Sequence, residues 1–256
     1  MTSPESGYWG PPTSSVDWCE RNYEYTPYVS ELFNTGSSLA MVLVGVAGIL
    51  LHRRVLERRF LWAFALVALV GLGSVAFHAT LRFELQMLDE LPMLYLVLLM
   101  VYVLLEDQRT PRFGRWFPMT LVAYGAFLTV LASLTRGRFQ FWTFQLSFGS
   151  LELFSLARVY GLHRRSRSQP QRRLFRWGIA SYALAVVLWF IDIRFCQALT
   201  PNPQFHAVWH VLVSFGFYAL VLVIAHDRAD RFDRTPEIRL AKGVLPYLRP
   251  KSASTA

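Results

Sequence analysis

The sequence predicts an all-α membrane protein with seven transmembrane helices, its N-terminus lumenal or extracellular and its C-terminus cytoplasmic. Three observations carry the prediction. Of 256 residues, 54% are apolar and only 17% charged, where soluble domains carry roughly 25% charged residues. The apolar residues fall into seven long runs, and the basic residues gather on alternate links between them. This composition excludes a disordered chain, a secreted disulfide scaffold and a soluble enzyme. A net charge of +9 elsewhere suggests nucleic acid, but 24 of the 26 basic residues are arginines and most flank apolar runs. That is a membrane pattern, so no nucleic-acid partner is expected.

A helix crosses the hydrocarbon core in about 20 mostly apolar residues. Span one is read at Glu31–Leu51. The preceding Met1–Ser30 is rich in Pro, Ser and Tyr and has no apolar core of a signal peptide, so span one is expected to act as its own insertion signal. Span two is Phe60–Ala79 and span three Leu88–Leu105. Span four, Trp116–Leu134, carries no charge at all. Span five, Phe141–Leu162, is the weakest, interrupted by Gln145, Glu152 and Arg158. Span six is Trp177–Phe195 and span seven His206–Ala225. Links of about 6 to 14 residues leave no room for a soluble domain. The expected organisation is a lumenal segment 1–30, a seven-helix membrane domain 31–225 and a basic cytoplasmic tail 226–256.

Orientation follows from the arginines and lysines. Segments 52–59, 106–115, 163–176 and the tail from His226 hold 20 of them; the opposite side holds only Arg21, Arg82, Arg136 and Arg138. The two cysteines, Cys19 and Cys196, both fall on the non-cytoplasmic side, where a disulfide persists. One bond would tie the N-terminal segment to the link between spans six and seven.

Six histidines divide into two sets. His52, His163 and His226 sit beside charged residues in cytoplasmic segments and read as solvated or headgroup-facing. His78 ends span two, while His206 and His210 open span seven, so all three reach the lumenal side. His206 and His210, at i and i+4, share one helix face and can close on one metal. His78 would be the third ligand of a catalytic zinc, leaving a position for water. Ser74, one turn before His78, and Asp89, read as opening span three, join the set. A carboxylate near zinc-bound water can take its proton, and a hydroxyl opposite can hold a developing oxyanion. Serine bonded to its own helix, and Asp89 as an N-cap, are the structural alternatives. Polar groups within spans are expensive and usually functional, and the five together point to a metal hydrolase. In the N-terminal segment Asp17, Glu20, Asn22 and the Trp18 carbonyl, with Glu31 following, offer oxygens of the kind calcium takes. Asp17 as a helix N-cap with Glu20 as capping-box partner is the other reading.

Four blocks resemble a known family. They are Gly7-Tyr8-Trp9-Gly10 through Asp17-Trp18-Cys19-Glu20-Arg21-Asn22-Tyr23; Glu31-Leu32-Phe33-Asn34-Thr35; Gly71-Leu72-Gly73-Ser74 through Phe77-His78 to Leu88-Asp89-Glu90-Leu91-Pro92-Met93; and Gln204-Phe205-His206-Ala207-Val208-Trp209-His210. In order and spacing the chain is similar to the alkaline ceramidases, seven-span amidases of the wider superfamily that includes the adiponectin-type receptors. The resemblance implies zinc (Zn2+) on His78, His206 and His210, with Ser74 and Asp89 as catalytic partners. It implies calcium (Ca2+) on Asp17, Trp18, Glu20, Asn22 and Glu31, and it matches Cys19 and Cys196 to the family's disulfide. The expected activity is hydrolysis of the ceramide amide to a sphingoid base and a fatty acid, the lipid entering from the bilayer. A seven-span receptor with a vestigial site and an ester-cleaving lipid hydrolase are the rivals. The expected location is the endoplasmic reticulum or Golgi with the active-site end facing the lumen; 251–256 holds no retrieval signal, and no protein partner is expected. Asp192 reads as paired with Arg194 or as orienting a ligating histidine, with a structural role favoured. Glu152 has no assigned partner.

Overall fold

The computed structural model of the protein describes residues 7–232, 236–241, 243 and 245–250. Arg234, Lys242 and Lys251, counted above among the tail's basic residues, and the segment 251–256 lie outside the described residues. The chain forms seven long helices: α1 (Leu32–His52), α2 (Arg58–Thr80), α3 (Phe83–Leu105), α4 (Trp116–Leu134), α5 (Gly137–Arg165), α6 (Gln169–Phe195) and α7 (Phe205–Arg231). A 3₁₀ turn, Cys196–Ala198, follows α6. Six of these helices are long and apolar enough to cross a membrane, which makes the protein multi-pass. The one outside that set is α5, whose polar residues had already marked it as the weakest run.

Most helices outrun the apolar windows that announce them. A hydrogen-bonded helix continues into the headgroup zone until a breaker stops it. Thus α3 starts at Phe83 rather than Leu88, with Arg82 as its N-cap residue. Asp89 therefore lies in the second turn, and its reading as an N-cap is corrected. Helix α6 starts at Gln169 rather than Trp177, where the Ser168 hydroxyl accepts from Gln171 N and a proline sits in the first turn.

The tail corrects both the all-α prediction and the reading of two histidines. Strands β1 (Glu237–Ala241) and β2 (Leu245–Arg249) form an antiparallel hairpin, paired from Glu237↔Arg249 to Ala241↔Leu245. It docks on the bundle: Leu248 is buried, the Tyr218 hydroxyl donates to Pro246 O (2.7 Å), and Leu248 N donates to His52 Nε2 (3.2 Å). With its Nδ1 on Gly48 O at 2.8 Å, His52 is a fully buried connector and not a solvated residue. His226 is buried as well, and His163 stacks on Phe175. Charged neighbours in sequence do not reveal the face a helical residue presents.

The packing is uneven. Helices α1, α2, α3 and α7 press closely together, α6 lies along α7, and α4 and α5 stand at the periphery. Apolar side chains gain little by leaving lipid, so close backbone approach supplies the association. A Cβ on Gly45 would come within 2.6 Å of Phe64 O of α2, and one on Gly73 would run into the Leu88 carbonyl of α3. Only glycine allows these approaches.

Candidate metal centre and its cavity

Helix α2 presents Ser74 and His78 from one face, and α7 presents His206 and His210 from its first two turns. All four side chains are buried. Each histidine offers a ring nitrogen, and these nitrogens lie within 4.8 Å of one another, the only such metal-competent group among the described residues.

The rings are held by neighbours of three kinds. His78 Nδ1 lies 2.5 Å from Glu31 Oε2, leaving Nε2 for the centre. His210 Nδ1 lies 2.8 Å from Ser37 Oγ, and its Nε2 is 3.3 Å from Ser74 Oγ. Ser74 is in turn 2.9 Å from Ser38 Oγ, which donates to Asn34 O. His206 lies flat between two indoles, 3.6 Å from Trp18 and 5.0 Å from Trp209 between ring centres. Its Nδ1 is buried without a hydrogen-bond partner. An orphaned imidazole nitrogen costs free energy in a buried site. A set of three such rings, with a carboxylate behind one of them, fits a bound zinc ion and the outer support that orients its ligands.

Asp89 reaches the same place from α3. With His78 and His206 it lines a cavity of about 380 Å³, walled otherwise mainly by apolar and aromatic side chains of α5, α6 and α7. Sequence reasoning missed the supporting residues: Glu31 behind His78, Ser37, Ser38 and the two tryptophans. The adjacent hydroxyls of Ser37 and Ser38 in an otherwise apolar span were the visible signal.

The N-terminal segment folds over this end of the bundle. Asn22 Nδ2 donates to both Asp17 carboxylate oxygens at 3.3 Å, and Trp18 N donates to Glu31 Oε1 at 3.3 Å. No helix begins at Asp17, so the capping-box reading is corrected. Glu20 caps from a distance instead, accepting from Phe33 N (2.7 Å) and Asn34 N (2.8 Å) at the start of α1. Burial pushes the Asp17 carboxyl up and the Glu20 carboxyl to about 7. Among the described residues no arginine or lysine forms an ion pair with Asp17, Glu20 or Glu31; Arg21 pairs with Glu24. Mutually repelling carboxylates with no cationic partner and an all-oxygen donor set fit a hard cation such as calcium. Glu31 touches both candidate sites.

Cys19 and Cys196 are bonded, their Cα atoms 5.2 Å apart and 177 residues apart in sequence. Asp192 neither pairs with Arg194 nor accepts from a histidine ring. Its carboxylate takes Cys19 N at 3.2 Å and the backbone N–H of His206, tying the segment to the start of α7. Glu152 has a partner after all, the Tyr182 hydroxyl.

Comparison with known proteins was made against this geometry. Residues 10–248 match the family model described as Ceramidase. The chain is 30% identical over 254 residues to "Alkaline ceramidase" of Arabidopsis thaliana, covering 98% of each chain. It is 32% identical to "Alkaline ceramidase 3" of Mus musculus, over 94% of this chain and 93% of the relative. It is 28% identical to "Alkaline ceramidase 1" of Homo sapiens, over 84% and 83%.

Proposed function

The chain belongs to the ceramidase family, and from that premise we propose that it hydrolyses the amide bond of ceramide, releasing a fatty acid and a sphingoid base. The observation that carries the reading is the buried trio His78, His206 and His210 at one end of a lipid-sized apolar cavity, with Asp89 on the same wall. In this reading the three histidines hold zinc. When bound, zinc supplies Lewis acidity that polarises a carbonyl and brings a water's pKa to about 7. Asp89 accepts the proton of the attacking water and hands it to the leaving amine. Ser74, beside His210 Nε2, offers its hydroxyl to the oxyanion that develops on the carbonyl oxygen. Glu31 holds the His78 tautomer that leaves Nε2 for the metal. Asp17, Trp18 through its carbonyl, Glu20, Asn22 and Glu31 hold calcium, which fixes the N-terminal segment over the catalytic end.

The membrane arrangement belongs to the same proposal. Seven spans, counting α5, place segment 1–30 and the metal centre on the lumenal side and residues 226–256 in the cytoplasm. The distribution of arginines supports this orientation. Residues 31–225 are the catalytic membrane domain, working in the endoplasmic reticulum or Golgi. The sparse packing of α5 against α6 supports sideways entry of ceramide between them.

The test is direct. Protein purified in detergent is assayed for metal and for fatty-acid release from ceramide, with and without chelator, beside His210→Ala. Stoichiometric zinc, with turnover lost on chelation and in the variant, is expected. Zinc without release from any ceramide would sink the hydrolase reading, and absence of zinc would reduce the histidines to packing.

A further inference from the structure

Glu152 is a carboxyl in the middle of α5 that the proposed hydrolysis does not use. Lipid-depth carboxyls are costly and rarely kept without a role. Its position is specific. The cavity that holds the metal centre adjoins a smaller compartment of about 70 Å³ deeper in the bundle, and Glu152 and Tyr182 line both. Trp209 also lines both, while His206 one turn above it lines only the upper compartment and Val213 one turn below only the lower. The junction is therefore roughly 5 Å, about one helical turn, below the histidine layer.

The Tyr182 hydroxyl donates to the Glu152 carboxylate, which fills one of about four acceptor positions on that group. The rest of the deeper compartment is apolar but for Ser214, whose hydroxyl is spent on His210 O. A plain alkyl chain crossing the junction leaves the remaining capacity of the pair unmatched.

Resting on the hydrolase reading above, we propose that Glu152 and Tyr182 are specificity-determining residues that bind a hydroxyl on the substrate chain passing from the metal cavity into the deeper compartment. Reach selects the hydroxyl. One on the fourth carbon of the sphingoid base lies about 5 Å from the scissile carbonyl along an extended chain, given carbon–carbon bonds of about 1.5 Å. One on the second acyl carbon lies too close to the scissile bond. The favoured class is thus an N-acyl base with this third hydroxyl.

The experiment compares three ceramides of equal chain length: plain saturated, 4-hydroxylated on the base, and 2-hydroxylated on the acyl chain. Two readouts are taken on the metal-loaded protein. One is kcat/KM; the other is equilibrium binding of non-cleavable analogues with the amide carbonyl reduced, followed by tryptophan fluorescence. The 4-hydroxylated lipid is expected to lead the plain one by about tenfold in both, the size of one matched hydrogen bond, and the 2-hydroxylated lipid to show no such lead. Tyr182→Phe and Glu152→Leu should bring the ratio to about one, while Glu152→Gln should keep it within about threefold of the wild type. A merely structural pair would lower stability and leave the ratio unmoved. A wild-type ratio near one, a ratio surviving Tyr182→Phe, or an equal lead for the 2-hydroxylated lipid overturns the assignment. Absence of turnover with the binding ratio intact would count against hydrolysis and in favour of the hydroxyl site.

Discussion

The bundle has two unlike halves. Helix α7 buries 61% of its most apolar stretch, and α2 and α3 bury half of theirs, whereas α4 and α6 bury 17%. The three histidines, Ser74 and Asp89 all stand on α2, α3 and α7. The outer wall of the cavity comes from α5 and α6. Groups that must share one ion need placement to a fraction of an ångström, which closely packed helices provide. A wall that admits a lipid must part, and low contact density makes that cheap. The placement of rigid and loose elements thus follows the separate demands of chemistry and access.

Four measurements would break or sharpen this contrast. The strongest effect is expected where the halves are stitched together. The double variant Cys19→Ser, Cys196→Ser frees the N-terminal segment from the end of α6 and should cost about 2–4 kcal/mol, seen as a lowered melting temperature in detergent. An unchanged melting temperature would mean that the Asp192 contacts alone secure the segment. Next, Glu31→Ala strips the acceptor from His78 Nδ1 and should weaken metal binding about 10–100-fold in a competition titration with a zinc indicator. Unaltered affinity would show that packing alone orients the ring.

A pair of glycine variants compares the halves directly. Gly73→Ala drives a methyl into the Leu88 backbone and should cost about 1–3 kcal/mol, with turnover falling as Ser74 and Asp89 separate. Gly161→Ala on α5 has open space and should be neutral or stabilising by about 0.5–1 kcal/mol. Equal losses at the two positions would abolish the distinction. The smallest effect is expected on α4, where Phe127 faces outward: Phe127→Leu should stay within about 0.5 kcal/mol of the parent. A larger loss would reveal a partner on that face.

Legibility in the sequence followed the same division. The helices were readable because each must satisfy its own backbone in lipid, and their apolar runs announce that requirement. Span four was placed at Trp116–Leu134, where α4 lies. Starts set by capping chemistry outside the apolar window, such as those of α3 and α6, were not readable from hydropathy. His206 and His210 declared themselves by spacing. Glu31 did not, because its contact with His78 spans 47 residues and depends on how α1 meets α2. His52 was misjudged for the same reason, since nothing local foretells a hairpin 196 residues later folding onto it.

By itself the sequence determined that this chain belongs in a bilayer, where its helices run, and which residue types are available for a metal and an amide. Those properties depend on composition and on periods of three to four residues, which operate within one helix. Only the tertiary structure decided that Glu31 stands behind His78, that Trp18 and Trp209 clamp His206, and that Glu152 and Tyr182 guard the junction of two compartments. Each of these joins elements distant in sequence, and the distance between their side chains is set by the close approach of helices at positions such as Gly45 and Gly73, which no local pattern specifies.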